Sequence, residues 1–231
     1  MHPPLPGSGC EPANQPHLQG SLHLLAWLSP GFPTGAFAFS HGLEWAVETG
    51  DVGDGDMLCT WLGDILANGS GRNDAILLRH AHRAARDAAA LEALAELAAA
   101  IAPGRERLAE TIDQGTAFLR AAQVWDCPVL PEQVAYPVAV GALAGWHGID
   151  ENNTAACYLQ AFAANLISAA IRLVPLGQTT GLQVLAAIQP VIVRIAGETA
   201  AASLDDIGGC VFRADLAAMA HETQYTRLFR T

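Results

Sequence analysis

Four short groupings carry residue types that do chemistry elsewhere, and their spacing decides each one. His80 and His82 are metal-ligand types. Two positions apart on a helix, however, they point about 200° from each other and cannot share one ion from one face. His221-Glu222 opens like the two-histidine zinc motif of metalloproteases, but Tyr225 stands where the second histidine has to be. Gly69-Ser70-Gly71 lacks both the Gly-x-Ser-x-Gly spacing and the preceding strand of a nucleophile elbow, so it reads as a helix end and a turn. Asp205-Asp206 invites comparison with paired metal-binding carboxylates. Gly209 takes the place one turn on where a further carboxylate is needed, and Ser203 as a helix N-cap followed by two acids accounts for the pair. The chain is therefore expected to have no catalytic constellation, no metal site and no cofactor. The alternative is an all-α metal-dependent enzyme using Asp205, Asp206 and the histidines.

Composition narrows the field further. All 12 basic residues are arginine, so neither a P-loop lysine nor lysine Schiff-base chemistry is available. A net charge of -11 lacks the basic footprint of a nucleic-acid or anionic-membrane binder. With 51% hydrophobic and 15% charged residues and a mean hydropathy of +0.24, a monomer would leave apolar surface in water, which favours a lasting partner or self-association. The 5 cysteines are odd in number and scattered without a CxxC pair, as in a reduced cytoplasmic protein. The opening residues lack a basic and apolar run, so no signal peptide is expected, and the most apolar stretch, 155–173, is broken by Gln160, Asn165 and Arg172, so no membrane span is expected.

The elements that must position these residues are helical. Residues 1–20, rich in proline and glycine, read as a disordered tail, and 21–231 as one all-α domain of about ten helices. Ser40 is expected to cap a helix through Leu43, Glu44 and Val47, with Gly50 closing it, and Asp54 or Asp56 to cap the next. Further helices are expected to start at Asn73, at Pro131 and at Asp150 or Asn153. The last of these, running to Leu173, is the expected central helix, and a kink is expected near Pro190 in the one that follows. Gly141 and Gly145, four apart, would let a neighbouring helix approach closely.

Three stretches have compositions that neither a solvated surface nor a core requires. "WLSPGFPTGAFAFSHGLE" from Trp27 places Phe32, Phe37 and Phe39 on a loop shaped by proline and glycine. "AAIRLVPLGQTTG" from Ala169 interrupts an apolar helix with Arg172. "HETQYTRLF" from His221 opens a terminal segment rich in aromatic residues and arginine. Together, and in this order, they resemble the F-type urease accessory proteins, the UreF family, with the resemblance running from about Leu22 to Thr231. Ala36 and Ala38 flank Phe37 where polar or glycine residues are common in that family, and Thr231 replaces a frequent serine.

The resemblance implies an all-α, non-enzymatic scaffold for assembly of the nickel enzyme urease. It implies a homodimer that binds the D-type (or H-type) accessory protein, recruits or regulates the G-type GTPase and acts on apo-urease in the cytoplasm. Phe32, Phe37 and Phe39 are then expected to be rigidly presented hot spots, with His41 and Glu44 within a partner's reach. The segment 221–231, through His221, Glu222, Tyr225, Arg227, Leu228, Phe229 and Arg230, is expected to be a docking peptide that orders on the partner. Arg172, expected to be buried, is assigned to the dimer contact with Pro175, Gly177 and Gln178.

Overall fold

The computed structural model describes residues 15–231. In chain order they form α1 (Gln15–Trp27), α2 (Leu43–Glu48), α3 (Gly55–Asn68), α4 (Ser70–Arg83), α5 (Ala88–Ala100), α6 (Arg105–Ala122), α7 (Tyr136–Trp146), α8 (Glu151–Leu173), α9 (Gln178–Glu198) and α10 (Phe212–His221). Three single-turn 3-10 helices join them: η1 (Ala36–Ala38), η2 (Thr199–Ala201) and η3 (Leu204–Asp206). The described residues contain no strand, and the chain is one all-α domain.

Helix starts follow local chemistry where a short polar side chain stands at the right place. Asp54 accepts from the Met57 N–H at 2.8 Å and Asp150 from the Asn153 N–H at 2.8 Å, so α3 and α8 open as expected. Other boundaries move. Helix α1 begins at Gln15, so residues 15–20 of the expected tail are helical, with Pro16 in the first turn, where its missing N–H costs nothing. Residues 1–14 of that tail lie outside the described residues. Helix α4 starts at Ser70 rather than Asn73, whose side chain instead donates to the Gly209 carbonyl at 2.9 Å. Helix α7 starts at Tyr136 with Pro137 in its first turn, five residues past Pro131.

The centre is α7, not α8. Residues Pro137–Ala144 are all buried, whereas α8 buries one face and turns the other outward. Gly141 and Gly145 explain why α7 fits there. A Cβ on Gly141 would stand 2.1 Å from the Leu78 carbonyl oxygen, and one on Gly145 2.1 Å from that of His82. The bare backbone of α7 thus lies directly on α4, a contact no larger residue permits. By length and composition, α8 and the stretch Gln178–Ala201 could each cross a membrane, but half of that α8 window is buried inside the bundle.

Candidate functional site

Loop 29–42, the end of α8 and the C-terminal segment, far apart in sequence, meet on one face. The segment after α10 folds back and is fastened along its length. Ser40 donates to the main-chain oxygen of Thr231 from its N–H at 2.8 Å and from its hydroxyl at 2.6 Å, and the Arg230 N–H donates to the Ala38 carbonyl at 2.8 Å. The same Ser40 hydroxyl accepts the Glu44 N–H at 3.3 Å, but the N-cap of α2 is Gly42 rather than Ser40 as expected. Gly42, at φ 75°, lets α10 cross closely: a Cβ there would lie 2.6 Å from the Ala218 nitrogen.

Three buried glutamates hold this arrangement. Glu44 accepts the N–H groups of Leu228 at 2.6 Å and Phe229 at 2.9 Å. Glu106 accepts from Arg227 at 2.8 Å, and Glu110 from the Thr231 hydroxyl at 3.0 Å. His221, fully buried, lies between two of them, with Nδ1 2.7 Å from Glu106 and Nε2 3.2 Å from Glu44. Glu222 accepts from the Arg105 N–H at 3.0 Å and caps α6 from outside, where Gly104 offers no side chain. Buried carboxylates are tolerable only with such partners. Burial alone would raise Glu110, but Arg107 and His41 prevail and hold it down at about 2.

The expected docking residues therefore divide. Phe37 is 71% exposed, Leu228 65%, and Tyr225 stands fully in solvent. Phe39 is buried, and Phe32 is half-buried with its ring centroid 5.3 Å from that of Phe118. These two fill the core rather than present a surface. His41, Glu44, His221 and Phe229 are buried too, so the C-terminal segment is part of the fold and not a peptide waiting for a partner. Glu222 is half-buried at the α6 start, and Arg227 and Arg230 are exposed, the latter donating to Asp113 at 2.9 Å. Arg172 is exposed, contrary to expectation. It donates to the Phe37 carbonyl at 2.8 Å and lies over the Phe229 ring, which explains how it is satisfied without a carboxylate. Pro175, Gly177 and Gln178 are exposed beside it at the α8–α9 turn.

Behind this face two cavities share a wall of Asp74, Arg107 and Thr111. One, of about 360 Å³, is bounded by loop 28–37, α6 and α8, and the other, of about 210 Å³, by α4, α7 and loop 207–210. Arg107 Nη1 lies 2.6 Å from Glu110 in an ion pair, and Nε has no partner among the described residues. Burial raises the Asp74 carboxyl to about 6, against the opposing pull of Arg107 and the Tyr158 hydroxyl, which donates to it at 2.8 Å.

Sequence reasoning missed Glu106, Arg107 and Glu110, and read Ser70, the first residue of α4, as part of a helix end and a turn. The available signal was Glu106, Glu110 and Gln114 at four-residue spacing, a polar stripe on what proves to be the inner face of α6. Asp206 accepts from both the N–H and the hydroxyl of Ser203, forming a capping box at η3 as the structural account of Asp205-Asp206 requires. Among the described residues no three His, Cys, Asp or Glu side chains are placed to hold a metal.

Fold and site define an all-α bundle closed by its own C-terminal segment. A family model for UreF matches residues 52–189. The urease accessory protein UreF of Methylorubrum populi is 51% identical over 221 residues, covering 91% of this chain and 99% of that protein. Its counterpart in Bradyrhizobium sp. (strain BTAi1) is 48% identical over 237 residues, covering 95% of this chain and 99% of the relative. The chain belongs to the UreF family of urease accessory proteins.

Proposed function

We propose that the chain is an assembly factor for urease, acting by binding. On this reading it engages the D-type (H-type) accessory protein at the face where loop 29–42 meets the C-terminal segment. Through that complex it recruits the G-type GTPase that brings nickel, as cargo, to cytoplasmic apo-urease. The observation that supports this most is that Phe37 and Leu228 are exposed on backbone pinned by Arg172 and Glu44, together with the exposed Tyr225 of the same C-terminal segment. Apolar anchors on rigid supports lose little entropy on binding. The exposed turn of Arg172, Pro175, Gly177 and Gln178 is proposed as the contact of a homodimer.

The role is tested by removing the chain from cells that make urease and measuring urease activity. Activity should be lost and should return with the wild-type chain supplied on a plasmid. Full urease activity in its absence would overturn the reading.

A further inference from the structure

Ser70, His41 and Glu110 form a hydrogen-bonded chain that a purely binding role does not use. Ser70 Oγ lies 2.8 Å from His41 Nε2, and His41 Nδ1 lies 3.4 Å from Glu110 Oε1. The three come from separate elements: the first residue of α4, the loop before α2, and the inner face of α6. Hydroxyl, imidazole and carboxylate in this order are the arrangement in which a serine becomes a nucleophile.

The protonation states suit that reading. Glu110, held down by Arg107 and His41, is a carboxylate at neutral pH and can only accept. His41 Nδ1 must then carry the ring proton, leaving Nε2 bare to accept from Ser70. Burial and the nearby Arg107 charge outweigh Glu110 and lower the His41 pKa, so the ring is a neutral base near pH 7. His41 is also the one non-glycine residue with positive φ, 60°, among the described residues. Such backbone is costly, and the energy is commonly spent where geometry must be held.

Ser70 lines the cavity of about 210 Å³, whose walls are mostly apolar, Leu77, Ile101, Pro137 and Ile207 among them, with Asp74, Arg107 and Asp215 as its charged side chains. A space of this size and lining suits a short apolar acyl group. The first-turn N–H groups of α4 favour negative charge developing near its first residue.

We propose that Ser70 is an activated nucleophile that accepts the acyl group of small apolar esters. Its Oγ forms a bond to the acyl carbon while its proton passes to His41 Nε2. The ester C–O bond breaks, and the departing alcohol takes that proton. A water molecule, deprotonated by the same nitrogen, then cleaves the acyl-serine, and the acid leaves with Ser70 restored. Arg107, ion-paired with Glu110, is a positioning residue that fixes the carboxylate behind the imidazole.

The test uses the full chain and two probes, a fluorophosphonate and p-nitrophenyl butyrate. One phosphonyl adduct per chain should map by mass spectrometry to Ser70 and be absent from heat-denatured protein. Ester hydrolysis should fall about 100-fold in Ser70→Ala, whose melting temperature should fall modestly because the buried His41 Nε2 loses its partner. Native protein that stays unlabelled at Ser70, or hydrolysis undiminished in a folded Ser70→Ala, would overturn the proposal. Should that variant not fold, the adduct map on the wild-type chain decides alone. Neither result bears on urease assembly, which is measured separately.

Discussion

The Arg172 guanidinium lies 4.2 Å from the centroid of the Phe229 ring, and with its bond to the Phe37 carbonyl it joins α8, loop 29–42 and the C-terminal segment through one exposed side chain. Arg172→Ala removes a cation–π contact and a charge-assisted hydrogen bond, and should lower stability by about 1–2 kcal/mol. If the α8–α9 turn is the dimer contact, light scattering should also report monomer. A dimer of unchanged mass and stability would remove Arg172 from both roles.

Deleting the C-terminal segment should cost far more. A chain ending at Thr223 loses the buried Phe229 and uncovers Glu44, Glu106 and Glu110, each of which lends a carboxylate to the segment. Phe229→Ala alone is expected to cost about 3–5 kcal/mol, read as a fall in the urea midpoint. A truncated chain with wild-type stability would contradict the packing described above.

What the sequence revealed and what it hid differ by distance along the chain. The Asp54 and Asp150 caps and the Gly141–Gly145 approach were legible because each depends on a few neighbouring residues. The glutamate clamp was not. Glu106 and His221 are 115 residues apart, and nothing local says that a charged stripe on α6 faces inward. The same holds for loop 29–42, where Phe32, Phe37 and Phe39 look alike in sequence; burial separates them through contacts with α6 and Arg230. The docking-peptide expectation for 221–231 failed for this reason: its anchors are real, but Phe229 and His221 anchor it to its own chain.

The Asp74 carboxyl gives a pH signature. Its pKa, raised from 3.8 to about 6 by burial, means the unfolded state ionises first, so the carboxyl withdraws stability as pH rises between those values and its full cost stands above pH 6. Asp74→Asn should therefore stabilise the protein by up to about 3 kcal/mol at pH 8 and change little below pH 4. Thermal melts across that range check this. Equal effects at both ends would contradict the assignment.

Gly141→Val should place two methyl groups and a Cβ where the Leu78 carbonyl stands and force α7 from α4. Overpacking of this kind costs about 1–3 kcal/mol or more, measurable by chemical unfolding. A neutral substitution would show that the interface yields.

The central claim is that the partner binds where the C-terminal segment meets loop 29–42. Phe37→Ala, Tyr225→Ala and Leu228→Ala remove only exposed side chains and should leave melting temperature nearly unchanged. Co-purification of the triple variant with the D-type accessory protein is the direct measurement. The complex should be lost while the isolated variant stays folded; a complex recovered in wild-type yield would place the docking surface elsewhere.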